Sequence, residues 1–90
     1  MIIQQERLKE HLTQGPFLRL PLATQAVYLH ILANMNAEGV VDVEVARRLS
    51  GAAERDVDPL YDAEFIYDID GCEASVLSAK FLQGGGADGK

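Results

Sequence analysis

"YDAEFIYDIDGCEASVL", Tyr61 to Leu77, is the stretch whose reading decides the fold. Phe65, Tyr67 and Ile69 alternate with other residues, which is the two-residue period of a strand. Asp70-Gly71 is a type I′ turn signal, and Cys72 to Leu77 supplies the return strand. Upstream, a helical segment begins near Ala53 and meets Pro59. Inside a helix, proline removes a hydrogen bond and clashes with the preceding turn. Either the helix kinks there or, the favoured reading, the segment splits into a turn through Asp58 and a fresh helix with Pro59 at its first position.

The rest of the chain supplies helices. "LPLATQAVYLHILANMN" carries Leu22, Ala26, Leu29 and Ala33 at helical spacing, with Val27, Ile31 and Met35 widening the stripe. Pro21 suits its start, and Asn36 to Gly39 its end. Val40-Val41 reads as a short strand. A second helix follows, with Asp42 as its N-cap, Glu44 in its first turn, Val43, Ala46 and Leu49 as its buried stripe, and Gly51 as its stop. "IIQQERLKEHL" predicts a short N-terminal helix, broken at Gly15-Pro16. Three helices followed by a hairpin predict a mainly α chain with a small β-hairpin, of winged helix-turn-helix class. The expected layout is an N-terminal helical arm over 1–16, the winged-helix domain over 17–82 and a flexible Gly-rich tail over 83–90.

Ninety residues with 48% hydrophobic and 24% charged content make one globular domain. No apolar run reaches the roughly 20 residues of a membrane span. Charges interrupt the N-terminus where a signal peptide needs its apolar stretch, so a cytoplasmic location is expected. The single Cys72 permits no internal disulfide and is expected as a small buried strand residue. Net charge is −6. From Glu38 to Glu73 there are eleven acidic residues against Arg47, Arg48 and Arg55, leaving that segment at −8. A nucleic-acid binder draws much of its affinity from neutralising phosphates and shows a basic footprint. Here the helix and hairpin that would carry one are acidic.

"PFLRLPLATQAVYLHILANMNAEGVV" and "RLSGAAERDVDPLYDAEFIYDIDG" together resemble the N-terminal domain of phage replisome organisers, the DnaD-like replication initiators. The matching positions are Phe17, Leu18, Pro21, Leu22, Gln25, Ala26, Tyr28, His30, Gly39, Val40, Gly51, Ala52, Phe65, Ile66 and Gly71. They are scattered single matches over roughly residues 17 to 77. The resemblance implies a winged helix, a phage or mobile-element origin and a bacterial host cytoplasm. It also implies DNA contacts, and there the sequence departs. Ala63 and Glu64 stand where the family tends to be basic, "SAKFLQGGG" replaces a basic, aromatic segment, and no counterpart of the family's oligomerising and helicase-loading domains is expected.

Seven acidic residues, Glu54, Asp56, Asp58, Asp62, Glu64, Asp68 and Asp70, form the candidate site. They read either as a solvated face or as a surface for the basic side of a host protein or nucleoprotein complex. The spacings Asp56-x-Asp58 and Asp68-x-Asp70-Gly71 faintly echo a calcium loop but lack its downstream bidentate Glu, so no metal is expected. Arg47, Arg48 and Arg55 are the alternative, DNA-binding site, set against pairing with Glu44 or Glu54 on helical surfaces. His11 and His30 have no nucleophile in a recognisable context, so no enzyme and no cofactor is expected. Tyr28, Tyr61 and Tyr67 read as core or interface aromatics, and "GGGADGK" is a chance phosphate-loop match with no Ser/Thr and no following helix.

The expected function is a protein-binding module that inhibits a host nucleic-acid-binding complex as a DNA mimic or anti-CRISPR protein does. The alternatives are a DNA-binding replication initiator or small transcriptional regulator, acting as a homodimer, and a domain that self-associates through an apolar N-terminal helix.

Overall fold

Caps and turns set most of the boundaries. The computed structural model describes residues 3–84, and the predicted tail lies outside the described residues from 85 onward. The elements run α1 (Gln5–Leu12), α2 (Gly15–Leu18), α3 (Leu22–Asn34), β1 (Val40–Asp42), α4 (Val43–Ser50), a 3-10 turn (Glu54–Val57), α5 (Asp58–Asp62), β2 (Ile66–Asp70), β3 (Glu73–Val76) and α6 (Ala79–Gln83). The chain is mainly helical, with one small antiparallel sheet in the order β1-β3-β2. Asp42 caps α4 as its sequence position suggests, its Oδ1 accepting the Glu44 and Val45 N–H groups at 3.0 and 3.2 Å. Gly51 ends the helix at φ +78°. The segment before the hairpin splits at the proline: the 3-10 turn gives way to α5, with Pro59 in its first turn.

Around α3 lies the core. Val27, Tyr28 and Ile31 have no exposed surface, and Phe17, Leu32, Leu60, Phe65, Ile66 and Leu82 close round them. Burying side chains of this size stabilises by about 1.5–3 kcal/mol each. Of the stripe expected on α3, Val27, Ile31 and Met35 are buried, but the line from Leu22 to Ala33 is instead its outer side. Leu22 is 82% and Leu29 47% exposed; Ala33 is exposed and Ala26 half-buried. The helix is apolar nearly all round, so periodicity alone does not choose the face. Polar partners do. Thr24 Oγ1 donates to the Asp56 carbonyl at 2.7 Å, and the Tyr28 hydroxyl shares a 2.7 Å hydrogen bond with His11 Nε2. Both bonds tie α3 inward.

Leu49 is a second correction: Val43 and Ala46 are buried, but Leu49 is 58% exposed. Two successive three-residue steps along a helix drift by about 120°, which turns Leu49 off the Val43 side. The stretch expected as an arm packs on the rest of the chain. Gln4 N–H donates to the Leu82 carbonyl at 2.6 Å, and Ile3, Leu8 and Leu12 lie against the core. Helix α6, absent from the sequence reading, makes this closure. Gly39 packs against it at φ +81°, where a Cβ would stand 2.5 Å from the Ala79 Cβ.

The hairpin differs in detail from its prediction. Asp70 pairs with Glu73, so the loop is Gly71-Cys72, one residue later than expected. Gly71 alone of these has positive φ, at +54°, and a type I′ turn needs two such residues. The shift puts Cys72 in the loop, where it is exposed rather than buried. A register irregularity between Asp68 and Asp70 leaves Ile69 unpaired. Tyr67 and Ile69 are 52% and 49% exposed; Tyr67 pairs with Ser75 on the face of the sheet turned away from the one where Ile66, Ala74 and Val76 are buried.

Candidate functional site

The acidic candidates come from three consecutive pieces, the 3-10 turn, α5 and β2. Glu54, Asp58, Asp62, Glu64, Asp68 and Asp70 are all exposed. From Asp56 to Ala79 the sequence has no Lys, Arg or His, whereas Glu54 stands beside Arg55 and its charge acts on Arg47. Asp56 is the exception in this set: its Oδ2 accepts the Ala53 N–H at 2.9 Å, so it fixes the start of the 3-10 turn. Tyr61 links two of the pieces, since the charges of Asp68 on β2 and Asp58 on α5 both act on it. Its hydroxyl is pushed up to about 12, by burial first and by a hydrogen bond to Asp68 next, and stays protonated at neutral pH.

Glu64 joins α5 to β2 with φ +64°, the one non-glycine residue with positive φ among those described. A side chain in that left-handed region costs roughly 1–2 kcal/mol relative to ordinary backbone. Gly or Asn would relieve it, yet a glutamate stands there, on the exposed acidic face.

The arginines are differently placed. Arg47 Nε donates to Glu44 Oε1 at 3.1 Å, its Nη2 pairs with Glu44 Oε2, and its Nη1 donates to the Ala52 carbonyl at 2.8 Å. This bond set fastens the end of α4 to the following loop. The Arg47 hydrogen bond holds the Glu44 carboxyl below its ordinary range, with Arg48 adding to the effect. Arg48 Nε also reaches Glu44, at 3.1 Å, but its side chain is 73% exposed. Arg55 is exposed on the 3-10 turn, between Glu54 and Asp56.

His11 belongs to the core edge. Its ring lies 5.6 Å from Tyr28 and 5.8 Å from Phe65, and burial lowers its pKa from the ordinary 6.5. Burial raises the Tyr28 hydroxyl far above its ordinary range. Among the described residues no three His, Cys, Asp or Glu side chains gather as a metal site, and no helix is long and apolar enough to cross a membrane. A cavity of about 200 Å³ opens on the outer side of the sheet between Glu38, Tyr67, Ser75, Leu77 and Lys80. That is below the ~300–1,000 Å³ of small-molecule pockets.

Tyr67, read from the sequence as a core or interface aromatic, and Ile69, not singled out there, are both on the surface. The available signal was the two-residue period: with Ile66 turned to the core, Tyr67 faces away from it. Comparison with protein-family models, with curated proteins and with solved structures finds no match for this chain.

Proposed function

We propose that this chain is a winged helix-turn-helix protein of phage or mobile-element origin, akin to the N-terminal domain of DnaD-like replisome organisers, that binds a protein with its third helix and wing. In this reading α3, α4 and the 3-10 turn with α5 are the three helices, and β2–β3 is the wing. Element order and the β1-β3-β2 sheet support it. One observation carries the function: the surface where a winged helix would meet DNA holds six exposed carboxylates and no basic residue between Asp56 and Ala79. Such a face repels phosphate and complements a basic channel. The strained Glu64 on that face adds support, since backbone strain collects at functional sites.

The protein is then a non-enzymatic module of a bacterial host's cytoplasm. It inhibits a nucleic-acid-binding complex, a CRISPR effector being one class with such a channel, by covering the site that DNA or RNA would occupy. The test is a triple charge reversal, Asp62→Lys with Glu64→Lys and Asp68→Lys. Wild-type protein immobilised in nuclease-treated bacterial lysate is expected to retain basic proteins, and the variant, folded by circular dichroism, to lose them. Equal retention by the folded variant refutes the reading.

The exposed Arg48 and Arg55 favour a second reading, a DNA-binding initiator or regulator that pools its arginines in a dimer. It requires binding that weakens steeply with salt and is lost in Arg48→Ala and Arg55→Ala.

A further inference from the structure

Helix α3 turns a second apolar side outward. Leu22, Ala26, Leu29 and Ala33 follow one another at steps of four, three and four residues, which aligns them along one side of a helix. Their burial agrees. Leu22 is the most exposed large apolar residue among those described, Leu29 and Ala33 are exposed, and Ala26 is half-buried. The helix has no Asp, Glu, Lys or Arg to solvate that side. Leu18, also exposed, lies beside the start of α3, where its carbonyl accepts from Gln25 Nε2 at 3.5 Å. Single exposed leucines are ordinary; a line of them on an uncharged helix marks a contact surface.

We propose that this side of α3 is the contact between two copies of the chain, packed antiparallel about a two-fold axis that passes between Ala26 and Leu29. In that register Leu22 faces the partner's Ala33, and Ala26 faces the partner's Leu29. Each large side chain meets a small one, and each contact occurs twice, as a two-fold interface requires. A parallel pair would instead set leucine on leucine and leave gaps between the alanines. Charge selects a second copy over other occupants. Two chains of net charge −6 repel where their acidic faces meet, and the outer side of α3 is where they can approach without that cost. A basic partner of the kind proposed above finds no carboxylate on α3 to pair with. The contact is also separate from the acidic face: Thr24, on the inward side of α3, bonds the Asp56 carbonyl, so the 3-10 turn lies across the helix from the seam. Thirteen residues make a seam about 20 Å long, less than the ~800 Å² per partner of a standard interface, so the dimer is weak and reversible.

Sedimentation equilibrium of the full chain from about 10 µM to about 1 mM tests this. A reducing buffer keeps the exposed Cys72 from forming disulfides. The average mass is expected to rise with concentration from one chain towards two, and to rise further at about 500 mM salt, which screens the repulsion between copies. Leu29→Glu and Leu22→Glu are each expected to weaken association by at least about tenfold, because a charge is then forced into the seam. Both should keep the circular dichroism of the wild type, since these side chains already meet water. Leu22→Glu combined with Ala33→Lys in one chain is expected to recover most of the loss, because the antiparallel register sets each Glu against a Lys. A chain that stays monomeric to about 1 mM, or association that weakens with salt, overturns the proposal. So does association unchanged in folded Leu29→Glu or Leu22→Glu. Failure of the double variant to recover overturns it as well, because the register is then wrong. None of these results bears on the acidic-face reading, whose charge reversals lie on other residues.

Discussion

Tyr28 on α3 and Tyr67 on β2 are the same residue in opposite settings. Tyr28 has no exposed surface, its ring sits 5.0 Å from Phe65, and its hydroxyl is paired with His11. Tyr67 is 52% exposed on a strand whose neighbours Asp68, Ile69 and Asp70 are exposed as well. Around Tyr28 the chain pairs its polar groups and keeps charge away; α3 contains no Asp, Glu, Lys or Arg at all. From Glu54 to Glu73 it does the reverse, leaving carboxylates in water beside apolar side chains. Buried packing is concentrated in the first region and exposed charge in the second, so substitutions in the two should separate cleanly.

The largest effect is expected at the buried tyrosine. Tyr28→Ala should cost about 3–5 kcal/mol in urea unfolding, through the cavity and the stranded His11. Tyr67→Ala should cost under about 1 kcal/mol. Similar losses at both positions would erase the distinction. Next comes Gly39→Ala, which combines positive φ with a clash on Ala79 and should cost about 3 kcal/mol. Gly51→Ala has the same φ problem but open space around it, so about 1 kcal/mol is expected.

Within the exposed region, Glu64→Gly should raise the thermal midpoint by a few degrees, equivalent to roughly 1 kcal/mol, by relieving the left-handed backbone. It should weaken partner binding at the same time. Gain of stability with unchanged binding would make Glu64 a bystander. The smallest effect is that of pH. Burial holds His11 below 6.5, so the unfolded chain takes up a proton more readily than the folded one. The stability this contributes is complete above pH 6.5 and is lost as pH falls towards the lowered folded value. Urea midpoints at about pH 7.5 and about pH 5.5 should converge in His11→Gln relative to wild type.

What the sequence made legible is what local chemistry decides. Asp42 as a cap, Gly51 as a stop, Pro59 as a splitter of helices and the hairpin itself each follow from a residue's own backbone preferences. Which side of α3 faces inward does not. That choice was made by Thr24 and Tyr28, polar residues whose partners Asp56 and His11 come from distant segments. The same limit applies to Cys72, whose exposure turns on a one-residue shift of the loop, and to α6, a helix of five residues held by long-range bonds to Gln4 and Arg7. The acidic composition of the candidate face was plain from residue types. That Arg47 is committed to Glu44 and Ala52, and that Tyr67 and Ile69 stand among the carboxylates, required the fold.

The central claim is that the surface from Glu54 to Glu73 faces protein and not nucleic acid. A fluorescence titration of labelled duplex and single-stranded DNA at about 50 mM salt tests it most directly, because even weak phosphate contacts register there. The expected result is no saturable binding of either DNA. Binding that fades by about 200 mM salt, and that Arg48→Ala and Arg55→Ala remove, would contradict the account and return this face to DNA.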